Sequence, residues 1–209
     1  MATETALKTL DRVMKAYQRE HNIRDECFVN SFIYAQFARV LGFPKARILP
    51  VYVIYDMVRE GEHILVVATH MCVHLGGNYP DEVVDVSTQY TDLNNAEYFR
   101  NWVELTKACS SLTQHTNTNT NMKWLNLHLS NQISSGKGVL AKFIEYEGHA
   151  KNLNHFLDEN PDRDGIGMCP FGCERIPYYD NMMEHILPTM VSLLGLRHGF
   201  YIKQNFHLT

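Results

Sequence analysis

A thiol, an imidazole and a carboxylate occur in the chain order Cys27, His70 and Asp85. Cys27 stands where a charged stretch gives way to an apolar helical pattern, and the other two lie on successive strand-like segments. A thiol acyl-transfer enzyme needs a nucleophilic sulfur, an imidazole that accepts its proton and a carboxylate that orients the imidazole. The types and order of these residues therefore predict covalent catalysis through a thioester.

The position of Cys27 favours the reactive form of a thiol. The pattern from Phe28 to Leu41 predicts a helix that is apolar on nearly all sides, which places Cys27 in its first turn. Unpaired backbone N–H groups and the positive end of the helix dipole stabilise a thiolate at this position. The alternative is a small buried hydrophobic residue, which is the commonest role of a single cysteine.

A predicted β-hairpin brings the imidazole and the carboxylate together. Segments 64–75 and 82–87 are typical of strands, and the Gly77-Asn78 pair suits a two-residue hairpin loop. In that register His70 and Asp85 directly oppose each other, with their Cβ atoms about 5 Å apart. The two side chains would then lie within hydrogen-bonding reach.

Two other histidines compete for the role of the base. His74 shares a strand face with His70 but lies nearer the turn, and His63 precedes the strand proper. Geometry therefore ranks His70 first, His74 second and His63 third. A hydrogen-bonded neutral histidine in a strand remains the structural alternative for each of them.

The remaining pattern predicts an α+β fold. Residues 4–20 repeat apolar side chains at helical spacing, and residues 48–55 are typical of a further strand. Helices followed by an antiparallel meander are typical of α+β proteins. The other predicted elements are a turn over 56–62, a C-cap at Gly42, a helix over 95–105, a strand or helix over 139–146, and short helices over 180–187 and 190–194 that Pro188 separates.

Composition and charge argue against several classes of function. The 209 residues, 45% of them apolar, can bury a core as one large domain or as a domain with a small appendage. The net charge is −4 and no basic cluster occurs, which argues against nucleic acid or an anionic membrane as a partner. No apolar run approaches the roughly 18 residues of a membrane span, and no signal-peptide pattern opens the chain. We therefore expect an intracellular, cytoplasmic protein whose five cysteines serve catalysis or metal binding rather than disulfides.

A second set of residues has the ligand types of a structural zinc site, namely Cys169, Cys173, His185 and His198. The two histidines stand much further apart than the roughly three to five residues of a zinc finger. The set predicts a distorted zinc site, and a loop with two free thiols is the alternative. It falls in a predicted C-terminal extension, residues 149–209, which follows a core of residues 1–148 and can belong to the same domain.

Over residues 24–88 the chain resembles the transglutaminase-like superfamily. In that family a cysteine opens a helix that ends in a Leu-Gly-Ile-Pro-Ala-Arg segment, to which Cys27–Asn30 and Leu41–Arg47 are similar. His70–Leu75 takes the place of the family's His-Ala-Trp-Val-Glu-Val strand. Val84–Ser87 takes the place of its Val-Asp-Pro-Thr strand.

The resemblance implies a papain-like core in which helices pack on an antiparallel sheet. It implies that Cys27 is the nucleophile, His70 the general base and acid, and Asp85 the orienting carboxylate. The Cys27 backbone N–H would help to bind the oxyanion. The substrate would be an amide of a protein or peptide, and catalysis would require no cofactor.

Two departures from the family pattern leave the subfamily open. Cys72 replaces the usual tryptophan, and Lys45 is inserted before the Ala-Arg pair. Arylamine N-acetyltransferases and peptide N-glycanases are more distant relatives of the superfamily, and both glycines of the acetyltransferase Arg-Gly-Gly-x-Cys motif are missing here. Hydrolysis and transfer are both compatible with the residues, and the rival hypotheses are an inactive binding module and a zinc-stabilised interaction domain.

Overall fold

The computed structural model describes residues 2–59, 62–77, 82–93, 96–115, 138–160 and 177–194. These residues form an α+β fold, as the sequence predicts. None of the described helices is long and apolar enough to cross a membrane. In chain order the elements are α1 (Ala2–Glu20), α2 (Cys27–Val40), β1 (Arg47–Arg59), β2 (Glu62–His74), β3 (Val83–Val84), α3 (Thr88–Thr91), β4 (Glu97–Phe99), α4 (Trp102–His115), α5 (Val139–Glu159) and α6 (Pro177–Leu194).

The four strands form one antiparallel sheet in the order β3-β2-β1-β4. Strand β4 pairs with the middle of β1, where Tyr52 faces Phe99 and Ile54 faces Glu97. Strand β3 pairs with the end of β2. The predicted antiparallel meander is therefore confirmed for β1, β2 and β3.

The chain divides into two compact units. The first comprises residues 1–48, 73–88 and 153–209, and the second comprises residues 49–72 and 89–152. Strand β2 belongs to both, because the division falls between Cys72 and Val73, inside one continuous strand. The domain boundary predicted after residue 148 falls within helix α5 and stays a prediction.

Helix α2 is the central element of the first unit. It contacts α1 and α6, and it is buried along most of its length, as its all-round apolar pattern predicts. The ring of Phe32 lies 5.8 Å from that of Phe156 and 6.2 Å from that of Tyr179. An apolar helix of this kind leaves few places for polar side chains, so those that it does contain need partners inside the protein.

Helix α2 ends at the predicted glycine. Gly42 has a φ of 105°, and its N–H donates to the carbonyl oxygen of Arg39 at 3.2 Å. The N–H of Phe43 donates to the carbonyl oxygen of Ala38 at 3.0 Å. These two hydrogen bonds form a Schellman motif, which requires a left-handed residue that glycine supplies without steric cost.

The second unit has its own core around Tyr52. The Tyr52 ring stacks on Phe143 at 4.1 Å and meets the edge of Trp102 at 5.7 Å. Burial raises the pKa of Tyr52 to about 12, and the charge of Glu147 adds to this effect. The other buried members of this core are Ile54, Val67, Leu105 and Val139.

Two predicted boundaries along the strands are wrong. Strand β1 continues to Arg59, so the turn predicted over 56–62 begins too early. Backbone pairing in the sheet outweighs the low strand preference of the polar residues there. The third strand, predicted over 82–87, comprises only Val83–Val84, because a side-chain turn at Asp85–Ser87 replaces the strand pattern.

The helix predicted over 95–105 is replaced by strand β4 and by helix α4, which begins at Trp102. The start of α4 is set by a reciprocal cap between Asn101 and Glu104. The Glu104 N–H donates to Asn101 Oδ1 at 3.0 Å, and Asn101 Nδ2 donates to Glu104 Oε1 at 2.9 Å. An asparagine that accepts the N–H three residues later is a strong N-cap, so Asn101 defines the helix start at Trp102.

Helix α6 runs through Pro188 without a break, so the predicted split there is wrong. A proline inside a helix removes the hydrogen bond to the carbonyl four residues earlier. Here both Pro188 and Glu184 are exposed, so the unbonded carbonyl lies on the solvent side. Packing of the opposite face, which includes the buried Met183, Ile186 and Met190, keeps the helix continuous.

The side-chain amide of Asn154 forms two hydrogen bonds with the backbone in the first part of strand β1. Asn154 Oδ1 accepts the Ile48 N–H at 2.8 Å, and Asn154 Nδ2 donates to the Ile48 carbonyl oxygen at 2.9 Å. One asparagine of α5 thereby satisfies both backbone groups of a strand residue.

Candidate functional site

Cys27 is the first residue of helix α2, where the sequence places it. Its side chain is buried, with 4% of the residue exposed. The chain turns sharply just before it, because Asp25 has a left-handed φ of 64°. Burial raises the pKa of Glu26 above its usual value, and the neighbouring Asp25 carboxylate adds to the shift.

The hairpin register differs from the predicted one by two residues. The observed pairing of β2 with β3, continued by one residue, places Cys72 rather than His70 opposite Asp85. The pairing extends at least to Leu75, whose N–H donates to the Glu82 carbonyl oxygen at 3.0 Å, so the observed register is not the one that a loop at Gly77-Asn78 would set. A shift of two residues leaves every side chain on its predicted face.

His70, Cys72 and Asp85 lie close together on this hairpin. One potential ligand atom from each, an imidazole nitrogen, a sulfur and a carboxylate oxygen, lies within 4.8 Å of the other two. Within the part of the chain that the structure describes, neither Cys27 nor His74 belongs to this group. The predicted pair of His70 and Asp85 is thus brought together, along with a cysteine that the prediction did not use.

Aromatic rings surround the imidazole of His70. The Tyr90 ring meets it edge to face at 4.6 Å between ring centres, and the Tyr98 ring lies at 6.4 Å. His70 is 1% exposed. Such packing restricts rotation of the imidazole, which a base that acts in one direction requires.

The Asp85 carboxylate is oriented by the backbone. Its Oδ1 accepts the N–H of Ser87 at 2.9 Å, which makes a turn of the Asx type. This bond fixes the side chain and ends strand β3 at the residue before it. Asp85 is only partly buried, unlike His70 and Cys72.

A buried amide links helix α1 to the segment that follows Asp85. Gln18 Nε2 donates to the Val86 carbonyl oxygen at 2.8 Å and to that of Met14 at 3.2 Å. Gln18 Oε1 accepts the Thr88 N–H at 3.0 Å and Asn30 Nδ2 at 3.2 Å. All four hydrogen-bonding positions of the amide are therefore used, although the residue is 2% exposed.

Asn30 extends this network into the first turn of α2, three residues after the thiol. Besides Gln18, its Nδ2 reaches Ser87 Oγ at 3.3 Å. Its Oδ1 accepts the Tyr178 hydroxyl at 2.6 Å. Burial raises the pKa of Tyr178 well above its usual value, and the charge of Glu26 adds to the shift. The network therefore holds the turn that carries Cys27 and the turn that carries Asp85 in one arrangement.

The predicted zinc ligands are only partly described. Cys169, Cys173 and His198 lie outside the described residues. His185 is described, and its exposed side chain places its ring 4.8 Å from that of Tyr17. The zinc site of the C-terminal extension stays a prediction. His63 lies in β2, but its side chain is also outside what is described.

Sequence reasoning missed the network and the position of Cys72. A signal was present, because Asn30, like Ser31 and Gln36, is a polar residue inside a helix that is mostly apolar. Buried polar groups of this kind are nearly always hydrogen-bonded, which predicts partners on neighbouring elements. Which partners they are depends on tertiary packing, as the distance of 148 positions between Asn30 and Tyr178 illustrates.

Comparison with known proteins leaves the site to be interpreted from its own residues. No protein-family model, curated protein or solved structure matches the chain. The geometry around the hairpin and the start of α2 is therefore the evidence on which a function can be based.

Proposed function

We propose that the protein is a thiol enzyme with a papain-like, transglutaminase-like core that cleaves or transfers an acyl group at an amide bond of a protein or peptide. Cys27 is the nucleophile, His70 the general base and acid, and Asp85 the carboxylate that orients His70. The observation that carries the proposal is the approach of His70 and Asp85 within 4.8 Å on one hairpin. The buried Tyr90 ring and the half-buried Tyr98 ring beside His70, together with the Asp85 turn, supply the fixed geometry that such a pair needs.

The hydrogen-bond network supports the assignment of Cys27 and Asp85 to one site, because it connects the start of α2 to the Asp85 turn. Asn30, in the first turn of α2, is tied through Ser87 to the turn that orients Asp85. Side chains three residues apart lie on the same side of a helix, so Cys27 lies on the side of α2 that this bond holds against the Asp85 turn. Preorganisation of this kind is what a multi-residue catalytic site requires.

The reaction has two steps. The Cys27 sulfur attacks the carbonyl carbon of the amide while His70 takes the thiol proton, and the carbon–nitrogen bond then breaks as His70 gives that proton to the departing amine. In the second step water or an amine attacks the thioester, His70 accepts its proton, and the carbon–sulfur bond breaks. Cys27 recovers the proton from His70, so the enzyme returns unchanged.

A binding module without chemistry is the second candidate. It is favoured by one observation, namely that Cys27 is only 4% exposed and does not belong to the group formed by His70, Cys72 and Asp85. Such a module would keep the fold and bind a peptide without forming a covalent bond to it.

Covalent labelling separates the two candidates. The full chain is incubated with iodoacetamide at mildly acidic pH, and separately with an activated aryl ester of a short peptide acid, and adducts are located by peptide mass spectrometry. We expect Cys27 to be modified faster than Cys109, and the acyl adduct to form at Cys27 and to disappear in Cys27→Ala. His70→Ala should slow acylation strongly.

The matched control is Cys109→Ala, which should leave the acylation of Cys27 as it is. Equal labelling of Cys27 and Cys109, or an acyl adduct that persists in Cys27→Ala, would show that the nucleophile is assigned wrongly. Folded protein that forms no acyl adduct would favour the binding module.

A further inference from the structure

The hairpin group contains a residue that the proposed reaction does not use. Cys72 is fully buried, two residues from His70 on the same strand face, and opposite Asp85 across the strand pair. A nitrogen, a sulfur and an oxygen thus converge from one hairpin, with no pair of these atoms more than 4.8 Å apart.

This donor set is the one that zinc prefers. Calcium and magnesium require oxygen ligands, whereas imidazole and thiolate favour zinc and related transition metals. In a tetrahedral zinc site with bonds of about 2.0 to 2.3 Å, ligand atoms stand about 3.3 to 3.8 Å apart. The largest separation here, 4.8 Å, needs a closure of roughly 1 Å, which small rotations of the three side chains can supply.

The groups around the ligands suit a metal as well. Asp85 Oδ1 is held by the Ser87 N–H, and the rings of Tyr90 and Tyr98 border the His70 imidazole. Outer groups that fix ligand orientation are a regular feature of zinc sites. Three protein ligands leave a fourth position for water or another small ligand, which is the pattern of an exchangeable site rather than a closed structural one.

We propose that His70, Cys72 and Asp85 form a zinc site and that zinc bound there switches off the thiol chemistry. The second part rests on the proposed function, and the first part does not. A metal-bound neutral imidazole donates its lone pair to the metal and carries its proton on the other nitrogen. His70 therefore cannot take a proton from Cys27 while zinc is bound, and Asp85 is no longer available to orient it.

Zinc binding is measured on the full chain with Cys169→Ser and Cys173→Ser as the common background, so that the C-terminal cysteines cannot contribute. The protein is freed of metal with a chelator and titrated with zinc in competition with a chromophoric indicator. We expect one tightly bound equivalent. Replacing a ligand should weaken binding by at least about a hundredfold, beyond the ~10–100-fold typical for the loss of a group that only orients a ligand.

Three variants on that background test the ligand set. Cys72→Ser and Asp85→Asn should both lose zinc affinity, whereas Cys27→Ser, which removes a thiol outside the group, should keep it. Cobalt provides a second readout, because a thiolate-to-cobalt absorption band should appear in the background protein and vanish in Cys72→Ser. A background protein that binds no zinc, or a folded Cys72→Ser variant that binds it as tightly, would overturn the site.

Acylation of Cys27 then tests the switch. Zinc should slow acylation at least about tenfold in the background protein and leave its rate in Cys72→Ser unaffected. If zinc binds but does not slow acylation, the proposed inhibition is wrong and the zinc site is still supported. If Cys27 is never acylated, the proposed function fails, and the zinc and cobalt titrations still decide whether the site exists.

Discussion

The hydroxyl of Tyr178 donates a 2.6 Å hydrogen bond to Oδ1 of Asn30, from a position 148 residues later in the chain. This bond joins helix α6 to the first turn of α2, where Cys27 lies. It completes the polar network that begins at Gln18. The position of the thiol therefore depends on a residue far from it in sequence.

Tyr178→Phe should destabilise the protein by about 1 to 3 kcal/mol, because it leaves a buried acceptor of Asn30 without its donor. The measurement is urea unfolding followed by circular dichroism. The matched control is Tyr179→Phe, whose hydroxyl makes a longer bond of 3.4 Å to Gln36, and a smaller loss is expected there. Equal stability losses in the two variants would contradict the importance of the Asn30 bond.

Gly76→Ala should also destabilise the fold. Gly76 has a φ of 105°, and a Cβ built there would lie 2.6 Å from Cβ of Lys45. Both the backbone conformation and the space therefore oppose a side chain, and we expect a loss of about 1 to 3 kcal/mol.

The control for this substitution is Gly148→Ala, in the interior of helix α5. A Cβ at Gly148 meets nothing within 4 Å, so alanine should stabilise the helix by about 0.5 to 1 kcal/mol. Both variants are compared by urea unfolding. A loss of stability at Gly148, or none at Gly76, would contradict the local geometry.

Stability should fall steeply at alkaline pH because of Tyr52. Its pKa is raised to about 12 in the folded protein, whereas a tyrosine in the unfolded chain ionises near pH 10. Between these values the folded state holds a proton that the unfolded state has lost. The free energy of unfolding therefore decreases by about 1.4 kcal/mol per pH unit for this residue, and its contribution is fully present below about pH 10.

Urea unfolding from about pH 9 to about pH 11.5 measures that slope. Tyr52→Phe removes the ionising group and should give a shallower decline over the same range. Tyr178, whose pKa burial also raises, continues to contribute in this variant. If the two proteins lose stability at the same rate, the burial of Tyr52 does not control its ionisation.

Asp85→Asn separates the folding role of this residue from its catalytic role. The asparagine oxygen can still accept the Ser87 N–H that Asp85 accepts at 2.9 Å, so stability should change by less than about 0.5 kcal/mol. Acylation of Cys27 should fall by roughly 10²- to 10⁴-fold, because a neutral amide neither orients nor stabilises the protonated imidazole in the same way.

Asp85→Ala is the comparison, since it removes both roles and should lose stability as well as activity. Unfolding curves and the rate of acyl-adduct formation are measured on the same preparations. An asparagine variant that acylates as fast as the wild type would remove Asp85 from the proposed mechanism.

Local signals in the sequence predict the helix that carries Cys27. The apolar run after Cys27 predicts the buried helix α2, and Gly42 predicts its end. The Gly77-Asn78 pair, by contrast, suggests a register that differs from the observed one by two residues. Because side chains in a strand alternate with a period of two, the residue opposite Asp85 is Cys72 instead of the predicted His70, and both lie on the same face of the strand.

The rest depends on contacts between distant segments. Pro188 predicts a helix break, but packing of the buried side of α6 keeps the helix continuous. Asn101 and Glu104 form a cap that apolar periodicity does not reveal. Nothing in the sequence distinguishes Cys72 from an ordinary buried cysteine, and only the observed register shows that it lies opposite Asp85.

The double hydrogen bond between Asn154 and Ile48 has a consequence for self-association. Strand β4 pairs with β1 only at residues 52–54, so the first part of β1 lies beyond that pairing. Open strand edges are templates on which other chains add strands and aggregate. The Asn154 amide occupies the N–H and the carbonyl oxygen of Ile48 at once, as an added strand would. One side chain thereby closes this position of the sheet to edge-to-edge pairing.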